Sequence, residues 1–162
     1  MKAAADVVGE LESLARQERE PEAFMREVVQ RLQRAVPKFN WVGFYLIDAA
    51  DPQMLVLGPY VGAPTPHTRI PLTQGICGAA AASGATIVVD DVNADPRYLA
   101  CSLDTKSEIV APVRAHGRVI GELDIDSHSP AAFGTEDRAL VERCAALVGE
   151  VFERASSGAQ RT

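Results

Sequence analysis

Two apolar segments of the chain, residues 107–115 and 118–125, are separated only by His116 and Gly117. Segments rich in β-branched residues predict strands, and a two-residue connection that ends in glycine is typical of a tight hairpin turn. The two strands of such a hairpin are antiparallel neighbours in one sheet. The hairpin therefore constrains the chain to a fold that contains an antiparallel sheet.

Further helices and strands are predicted on both sides of this hairpin. The spacing of apolar residues indicates helices, and runs of aromatic and β-branched residues indicate strands. The predicted helices cover residues 3–19, 21–36, 75–83 and 136 to about 154, and the other predicted strands cover residues 40–47, 54–61 and 86–89. Antiparallel strands with helices collected on one side predict an α+β fold, with a central antiparallel sheet flanked by helices.

The length of the chain is that of one domain. Its 162 residues, 47% of them hydrophobic, are sufficient to bury a core without disulfides or metals. We expect residues 1–20 to form an N-terminal helix and residues 21–155 to form a single domain. Residues 156–162 are expected to form a flexible tail.

Charge and hydropathy argue against several classes of protein. A net charge of −6 disfavours a nucleic-acid partner. The sequence has no run of 18 apolar residues that would predict a membrane span, and its acidic N-terminus lacks the apolar stretch of a signal peptide. Three widely spaced cysteines do not suggest a disulfide framework, so we expect the protein in the reducing cytoplasm.

The three cysteines differ in their predicted surroundings. Cys101 lies on a long polar loop, where partial exposure would favour a reactive thiolate, although a free cysteine can equally be a small buried hydrophobe. Cys77 opens the short alanine-rich helix, where the helix dipole could lower its pKa or the side chain could simply be packed. Cys144 lies on the apolar face of the last helix and is predicted to be part of the core.

Three acids form the second candidate site. The tight turn pairs residues whose numbers sum to about 233, which places Glu108 close to Asp124 and Asp126. Three carboxylates so close repel one another and require a cation or a shared proton. A solvated strand end is the alternative, but acids are depleted in strands, so we favour a binding site for a metal or an ammonium group. Histidines at ligand spacing and calcium-loop motifs are absent from the sequence near these acids, and we expect no metal.

Two aromatic residues of one predicted strand could complete a pocket. Trp41 and Tyr45 are four residues apart, so alternation along the strand places them on the same face of the sheet. An aromatic ring near a thiol and acids could cover a methyl group or a cation, and core packing is the alternative.

Four segments in this order resemble the GAF-domain free methionine-(R)-sulfoxide reductases. They are NWVGFY (40–45), GICGAA (75–80), ACSLDTKSEIV (100–110) and VIGELDIDS (119–127). The resemblance covers about residues 20 to 152, and its most specific part is SEIV followed by LDIDS at this spacing. It implies a GAF domain, usually a homodimer, that reduces free methionine (R)-sulfoxide, needs no bound cofactor and is restored by thioredoxin.

The resemblance also implies roles for individual residues. Cys101 matches the catalytic cysteine of the family, and Cys77 matches a second cysteine of its motif. The substrate-binding positions are matched by Trp41, Tyr45, Glu108, Asp124 and Asp126.

One position departs from the pattern of the family. A third cysteine, which often acts as the resolving thiol, commonly stands ten positions before Cys77, and this chain has His67 there. Cys77 is then the only motif thiol left to pair with Cys101, unless an external thiol resolves the oxidised enzyme. Two other functions stay open from the sequence: a non-catalytic GAF module that binds a small ligand for signalling, and a general thiol redox sensor.

Overall fold

The computed structural model describes residues 2–99 and 103–159. These residues form four α-helices: α1 (Lys2–Gln17), α2 (Pro21–Ala35), α3 (Gly75–Ser83) and α4 (Thr135–Ala159). They also form six strands: β1 (Trp41–Ile47), β2 (Met54–Val61), β3 (Arg69–Pro71), β4 (Ile87–Val89), β5 (Ser107–Ala115) and β6 (Arg118–Ser127). A short 3-10 helix at Val92–Ala94 interrupts the segment between β4 and β5.

The six strands form one antiparallel sheet in the order β3-β2-β1-β6-β5-β4. The predicted hairpin is β5 and β6, and it occupies the interior of the sheet beside β1. His116 and Gly117 have φ angles of 52° and 75°, the left-handed conformation that a tight two-residue hairpin turn requires. The prediction of a central antiparallel sheet flanked by helices is confirmed.

The register of the hairpin differs from the prediction by one residue. Ala115 pairs with Arg118 as predicted, but a bulge between Val113 and Arg114 shifts every later pair, and Glu108 lies opposite Asp126. A shift of one residue moves a side chain to the other face of a sheet. The bulge therefore places Glu108 on the same face as the acids of β6.

The two faces of the sheet are covered differently. One face carries the large apolar cluster, with Phe44, Ile109 and Leu123 at its centre, and packs against α2 and α4, which in turn contact α1. The other face packs against α3 and its flanking loops, around a smaller cluster that includes Tyr45 and Cys77. The expectation that the helices collect on one side is therefore wrong for α3, whose small side chains let it lie flat on the second face.

The boundaries of the terminal helices also differ from the predictions. Helix α1 ends at Gln17, two residues before its predicted end, and α4 continues to Ala159. Residues 156–159 of the expected tail are therefore helical. Among the described helices, none combines the length and the hydropathy that a membrane span requires.

Helix α4 touches the backbone of β5 at Gly149. A Cβ atom added there would overlap the carbonyl oxygen of Arg114. Backbone cannot rotate away as a side chain does, so we expect Gly149→Ala to lower the free energy of unfolding by about 2 kcal/mol despite the better helix propensity of alanine. Urea denaturation measures this change.

Gly9 of α1 provides the matched control. A Cβ atom at this position meets nothing within 4 Å. Because only helix propensity then changes, Gly9→Ala should raise the free energy of unfolding by up to about 1 kcal/mol. Equal effects of the two substitutions would contradict the assigned contact between α4 and β5.

Candidate functional site: a buried acid cluster beside Cys77

Four carboxyl groups lie together on the face of the sheet that α3 covers. Strand β6 contributes Glu122, Asp124 and Asp126, because alternate residues of a strand point to the same face. Strand β5 contributes Glu108, which lies opposite Asp126. The exposed fraction of each of the four residues is 5% or less. These four residues are called the acid cluster below.

Strand β1 supplies an aromatic wall beside the acid cluster. Trp41 pairs with Asp126, and Tyr45 pairs with Glu122. The Trp41 and Tyr45 rings lie on the same face, as predicted, with their centroids 6.4 Å apart, and Tyr60 of β2 stacks on Trp41 at 5.5 Å. Because the rings and acids alternate with core residues on central strands, the sheet fixes their relative positions.

Hydrogen bonds to loop carbonyls hold both rings. The Trp41 indole Nε1 donates to the carbonyl of Ala63 at 3.0 Å, and the Tyr45 hydroxyl donates to the carbonyl of His67 at 2.7 Å. His67, at the position where the resemblance would place a third cysteine, is thus bound through its backbone to the aromatic wall.

Helix α3 places Cys77 against the acid cluster. The helix can approach closely because Gly78 lies under the carbonyls of Pro71 and Leu72, where an added Cβ would come within 2.9 Å. The thiol of Cys77 donates to Oδ2 of Asp124 at 3.4 Å, and the residue is 6% exposed. Cys77 is therefore a buried thiol in contact with carboxyl groups.

The acid cluster has no cationic partner within the described parts of the chain. None of the ion pairs formed by residues 2–99 and 103–159 includes any of the four acids. Buried oxygens without a hydrogen-bond partner there are Oδ1 of Asp124, Oδ1 of Asp126 and both carboxyl oxygens of Glu122. A buried acid without a partner is costly, so the cluster is built to hold protons or to receive a cation.

Burial is the main cause of the raised pKa values in the acid cluster. It raises the pKa of all four acids well above their usual values, and neighbouring carboxylates raise it further. After burial, the largest cause of the raised pKa is the charge of Asp124 for Glu108 and the charge of Asp126 for Asp124. Burial and the nearby carboxylates of Asp124 and Glu122 also raise the pKa of the Cys77 thiol well above its usual value.

The arrangement could accommodate a small cation. Cys77, Glu108 and Asp124 each offer one donor atom, and these atoms lie within 4.8 Å of one another. A primary ammonium group carries one positive charge and three donors, which suits several carboxyl oxygens equally well. A metal ion and an ammonium group have one property in common: each would bring positive charge close to these oxygens.

Two small cavities flank the acid cluster. One, of about 80 Å³, is lined by Trp41, Asp126 and the loop residues Asn40, Ala63, Pro64, Thr65, Thr105 and His128. The other, of about 10 Å³, lies between Tyr45, Cys77 and the acids Glu108 and Asp124, with Ile70, Gly75, Ile76 and Leu99 around it. An acid and an aromatic ring therefore border each cavity.

Most of the residues selected from the sequence meet at this place. Trp41, Tyr45, Cys77, Glu108, Asp124 and Asp126 surround one site. Cys101 lies outside the described residues. Cys144 is fully buried in the large cluster, as predicted, and burial raises its pKa to about 12.

Glu122 was not among the residues predicted from the sequence to form the site. Its position could have been predicted from GELDIDS, because side chains alternate between the two faces of a strand. This alternation places Glu122, Asp124 and Asp126 on one face of β6. The strand carries buried Leu123 and Ile125 on its other face.

The raised pKa values predict how stability depends on pH. An acid whose pKa is raised by folding holds its proton in the folded state after the unfolded chain has lost it, so its ionisation weakens the folded state as pH rises. We expect Glu122→Gln, which cannot ionise, to become progressively more stable than the wild type above pH ~4.5, by at most about 1.4 kcal/mol per pH unit. Urea denaturation of both proteins between pH 5 and about 8 measures the difference.

An exposed acid gives the control for this pH series. Glu136 lies in the first turn of α4 and is exposed. The stability difference between Glu136→Gln and the wild type should show no comparable rise with pH. A difference between Glu122→Gln and the wild type that is constant across the series would contradict the buried, protonated state of Glu122.

This chain is similar in sequence to known proteins. The family model described as GAF domain matches residues 20–152. A protein of Escherichia coli named free methionine-R-sulfoxide reductase is 35% identical over 121 residues, which are 75% of this chain and 71% of that protein. A protein of Saccharomyces cerevisiae with the same name is 38% identical over 112 residues, or 68% of this chain and 62% of its own length.

Solved structures agree with the sequence relatives. The structure of a free methionine-R-sulfoxide reductase from Neisseria meningitidis, in complex with its substrate, is similar with a TM-score of 0.90 and 38% identity. The similarity covers 98% of this chain and 94% of that structure.

Proposed function

The chain belongs to the GAF-domain family of free methionine-(R)-sulfoxide reductases, and on that premise we propose that it reduces free L-methionine (R)-S-oxide to methionine. One observation carries the proposal: four buried carboxyl groups without a cationic partner among the described residues lie beside an aromatic wall and a thiol. A free amino acid brings the missing positive charge on its ammonium group, which a methionine inside a polypeptide does not have.

Substrate recognition follows from the two kinds of surface at the site. The ammonium group is bound among Glu108, Asp124 and Asp126. The acids that lose a proton on binding carry the opposing negative charge, and one that burial keeps protonated remains as an acid. The faces of Trp41 and Tyr45 receive the S-methyl end of the side chain. Recognition of the ammonium group explains why the activity is directed to the free amino acid.

Cys101 is the nucleophile of the proposed reaction. Its thiolate attacks the sulfur of the sulfoxide, and the oxygen, which needs a proton, is transferred to the sulfur of Cys101 as the S–O bond to methionine breaks. A carboxyl group that burial keeps protonated is suited to supply that proton. Methionine leaves, and Cys101 becomes a sulfenic acid.

A second thiol returns the enzyme to its reduced state. Cys77 attacks the sulfenic acid of Cys101, a disulfide forms, and water leaves. Thioredoxin, as an external dithiol, then reduces the disulfide by exchange. With His67 at the position of the third cysteine, this route relies on Cys77.

The electron donor, the oligomeric state and the cellular compartment are also part of the proposal. The electrons come from thioredoxin and no bound cofactor or metal takes part, because the substrate ammonium supplies the positive charge that the acid cluster needs. The protein acts as a homodimer in the cytoplasm, where thioredoxin keeps thiols reduced.

A coupled assay tests the proposed function. With thioredoxin, thioredoxin reductase and NADPH, the protein should consume NADPH on addition of free methionine (R)-sulfoxide. The (S)-epimer and an N-acetylated methionine sulfoxide, which lacks the ammonium charge, are the matched controls and should give little consumption. Saturable binding of the sulfoxide without any methionine release would instead support a non-catalytic GAF module, and peroxide-driven thiol oxidation without sulfoxide preference would support a redox sensor.

Cys77→Ser separates recycling from the first turnover. This variant lacks the second thiol, so we expect methionine release in the first turnover to exceed the steady-state rate with thioredoxin by a larger factor than in the wild type. Quenched-flow measurement of methionine gives the first turnover, and NADPH oxidation gives the steady state. Recycling by thioredoxin at the wild-type rate would exclude Cys77 as the resolving thiol.

A further inference from the structure

Three donor atoms converge at the smaller of the two cavities. The Sγ atom of Cys77 and one carboxyl oxygen each of Glu108 and Asp124 lie within 4.8 Å of one another. The same three residues line the cavity of about 10 Å³, which is close to the room that one water molecule needs. The donors therefore surround a space that fits a single small ion.

The oxygens at this cavity lack a positive partner. Asp124 is 2% exposed, and its Oδ1 has no hydrogen-bond partner among the described residues. No ion pair in those parts of the chain includes Glu108 or Asp124. A buried polar atom without a partner requires an explanation, and a cation in the cavity would provide one.

The thiol and its distance from Asp124 indicate which kind of cation suits the cavity. Thiolate sulfur is a ligand of zinc and similar ions, whereas Mg²⁺ and Ca²⁺ prefer oxygen ligands alone. The Sγ of Cys77 lies 3.4 Å from Oδ2 of Asp124. In a tetrahedral zinc site, bonds of about 2.3 Å to sulfur and about 2.0 Å to oxygen place these two atoms about 3.5 Å apart. A small rotation of the Glu108 side chain would add the third ligand.

We propose that the reduced, substrate-free protein binds a divalent ion of the Zn²⁺ class through Cys77, Glu108 and Asp124, with the fourth position left to water. The ion replaces the proton of the thiol and the protons held by the two carboxyl groups, and these protons pass to the solvent. No electron is transferred. A metal ion deprotonates a coordinating thiol outright, so the ion itself supplies the charge that stabilises the thiolate and the carboxylates in this buried place.

Binding of the ion and the proposed reaction exclude each other. This consequence rests on the proposed function. The ion occupies Glu108 and Asp124, which are proposed to bind the substrate ammonium group, and it holds the thiol of Cys77, which is proposed to resolve the sulfenic acid. The ion is therefore an inhibitor and takes no part in the reaction, and free methionine sulfoxide should compete with it.

Titration with Co²⁺ tests the site without substrate. A bond between Co²⁺ and a thiolate gives a charge-transfer absorption band in the near ultraviolet, which carboxylate ligands alone do not give. The full-length protein is reduced, freed of metal with a chelator and titrated with Co²⁺. We expect a saturable band at one ion per chain, which Zn²⁺ abolishes because similar sites bind it more tightly than Co²⁺. An excess of Mg²⁺ should leave the band unchanged.

Three variants assign the ligands. Cys77→Ser should abolish the band and weaken Zn²⁺ binding by about 100-fold or more, because loss of a direct ligand costs at least as much as loss of an outer hydrogen-bond partner. Asp124→Asn keeps the thiol and the size of the side chain but removes a charged oxygen. It should weaken Zn²⁺ binding by at least about tenfold, and it carries the test if Cys77→Ser does not fold. Cys144→Ala removes a fully buried thiol of the large apolar cluster and should change neither measurement.

The results that would overturn the proposal are read without substrate. They are a folded wild-type protein without the band, a band that Zn²⁺ does not displace, a band that persists in Cys77→Ser or disappears in Cys101→Ser, and unchanged affinity in Asp124→Asn. None of them depends on whether the protein reduces methionine sulfoxide. Wild-type protein that shows the band but, freed of metal, releases no methionine would contradict the proposed function alone.

Discussion

Cys101→Ser is expected to lower the turnover of free methionine (R)-sulfoxide by about 10³-fold or more, because a hydroxyl cannot accept the oxygen of a sulfoxide as a thiolate does. The change is nearly isosteric and leaves the acid cluster and the aromatic wall intact. Binding of the substrate should therefore persist, with a dissociation constant within a few-fold of that of the wild type. Methionine release measures turnover, and isothermal titration calorimetry measures binding.

Cys144→Ala is the control for this loss. Cys144 of α4 is fully buried in the large apolar cluster, and burial raises its pKa to about 12, so it is inert at neutral pH. Removal of the Cys144 thiol should therefore leave the turnover of free methionine (R)-sulfoxide largely unchanged. Full activity of Cys101→Ser would remove Cys101 from the mechanism and direct attention to Cys77 as the nucleophile.

Glu108→Gln is expected to have opposite effects on activity and on stability. Glu108 lies opposite Asp126 and on the same face as Asp124, and under the proposed function its loss takes one carboxylate from the ammonium group of the substrate. A buried charged contact of this kind is worth several kcal/mol, so kcat/KM should fall by about 100-fold, mainly through KM. The glutamine amide can donate to the neighbouring carboxylates, so the substrate-free variant should be more stable than the wild type at neutral pH.

Two measurements on one protein separate these effects. Steady-state kinetics with methionine release give kcat and KM, and urea denaturation at neutral pH without substrate gives the free energy of unfolding. Glu136→Gln, which removes an exposed acid from the first turn of α4, should leave kcat and KM unchanged and lower the free energy of unfolding by at most about 1 kcal/mol. A loss of activity together with a loss of stability would mean that Glu108 supports the fold, and the acid cluster would then lose its interpretation as a site held open for a cation.

The hairpin illustrates how far local sequence signals extend. Its strands and its turn were predictable because β-branched composition and a His-Gly connection act over only a few residues. The faces of the strands depended on the register, and the bulge at Val113 decided the register. A bulge inserts one extra residue in response to packing and twist across the sheet. The local pattern of side chains around Val113 therefore does not predict it.

The surroundings of Cys77, by contrast, could not be predicted from local sequence. The sequence predicts the short helix that carries it and the glycine at its C-terminal end. Whether its thiol meets carboxyl groups or aliphatic side chains depends on which face of the sheet the helix covers. That choice was predicted wrongly, because a helix of small residues can lie against either face, and the contact with Asp124 follows only from the packed fold.

The amino-acid sequence by itself determined the antiparallel sheet, most element boundaries and most residues of the candidate site, because turn chemistry, side-chain periodicity and residue type are local. The tertiary structure alone decided that Glu108 shares a face with the acids of β6 and that Cys77 touches Asp124. It also decided that four carboxyl groups, including Glu122, are buried without a cation in the described part of the chain. These properties depend on register, burial and distance between segments far apart in the chain, and burial is what converts ordinary acids into groups that hold a proton or demand a positive charge.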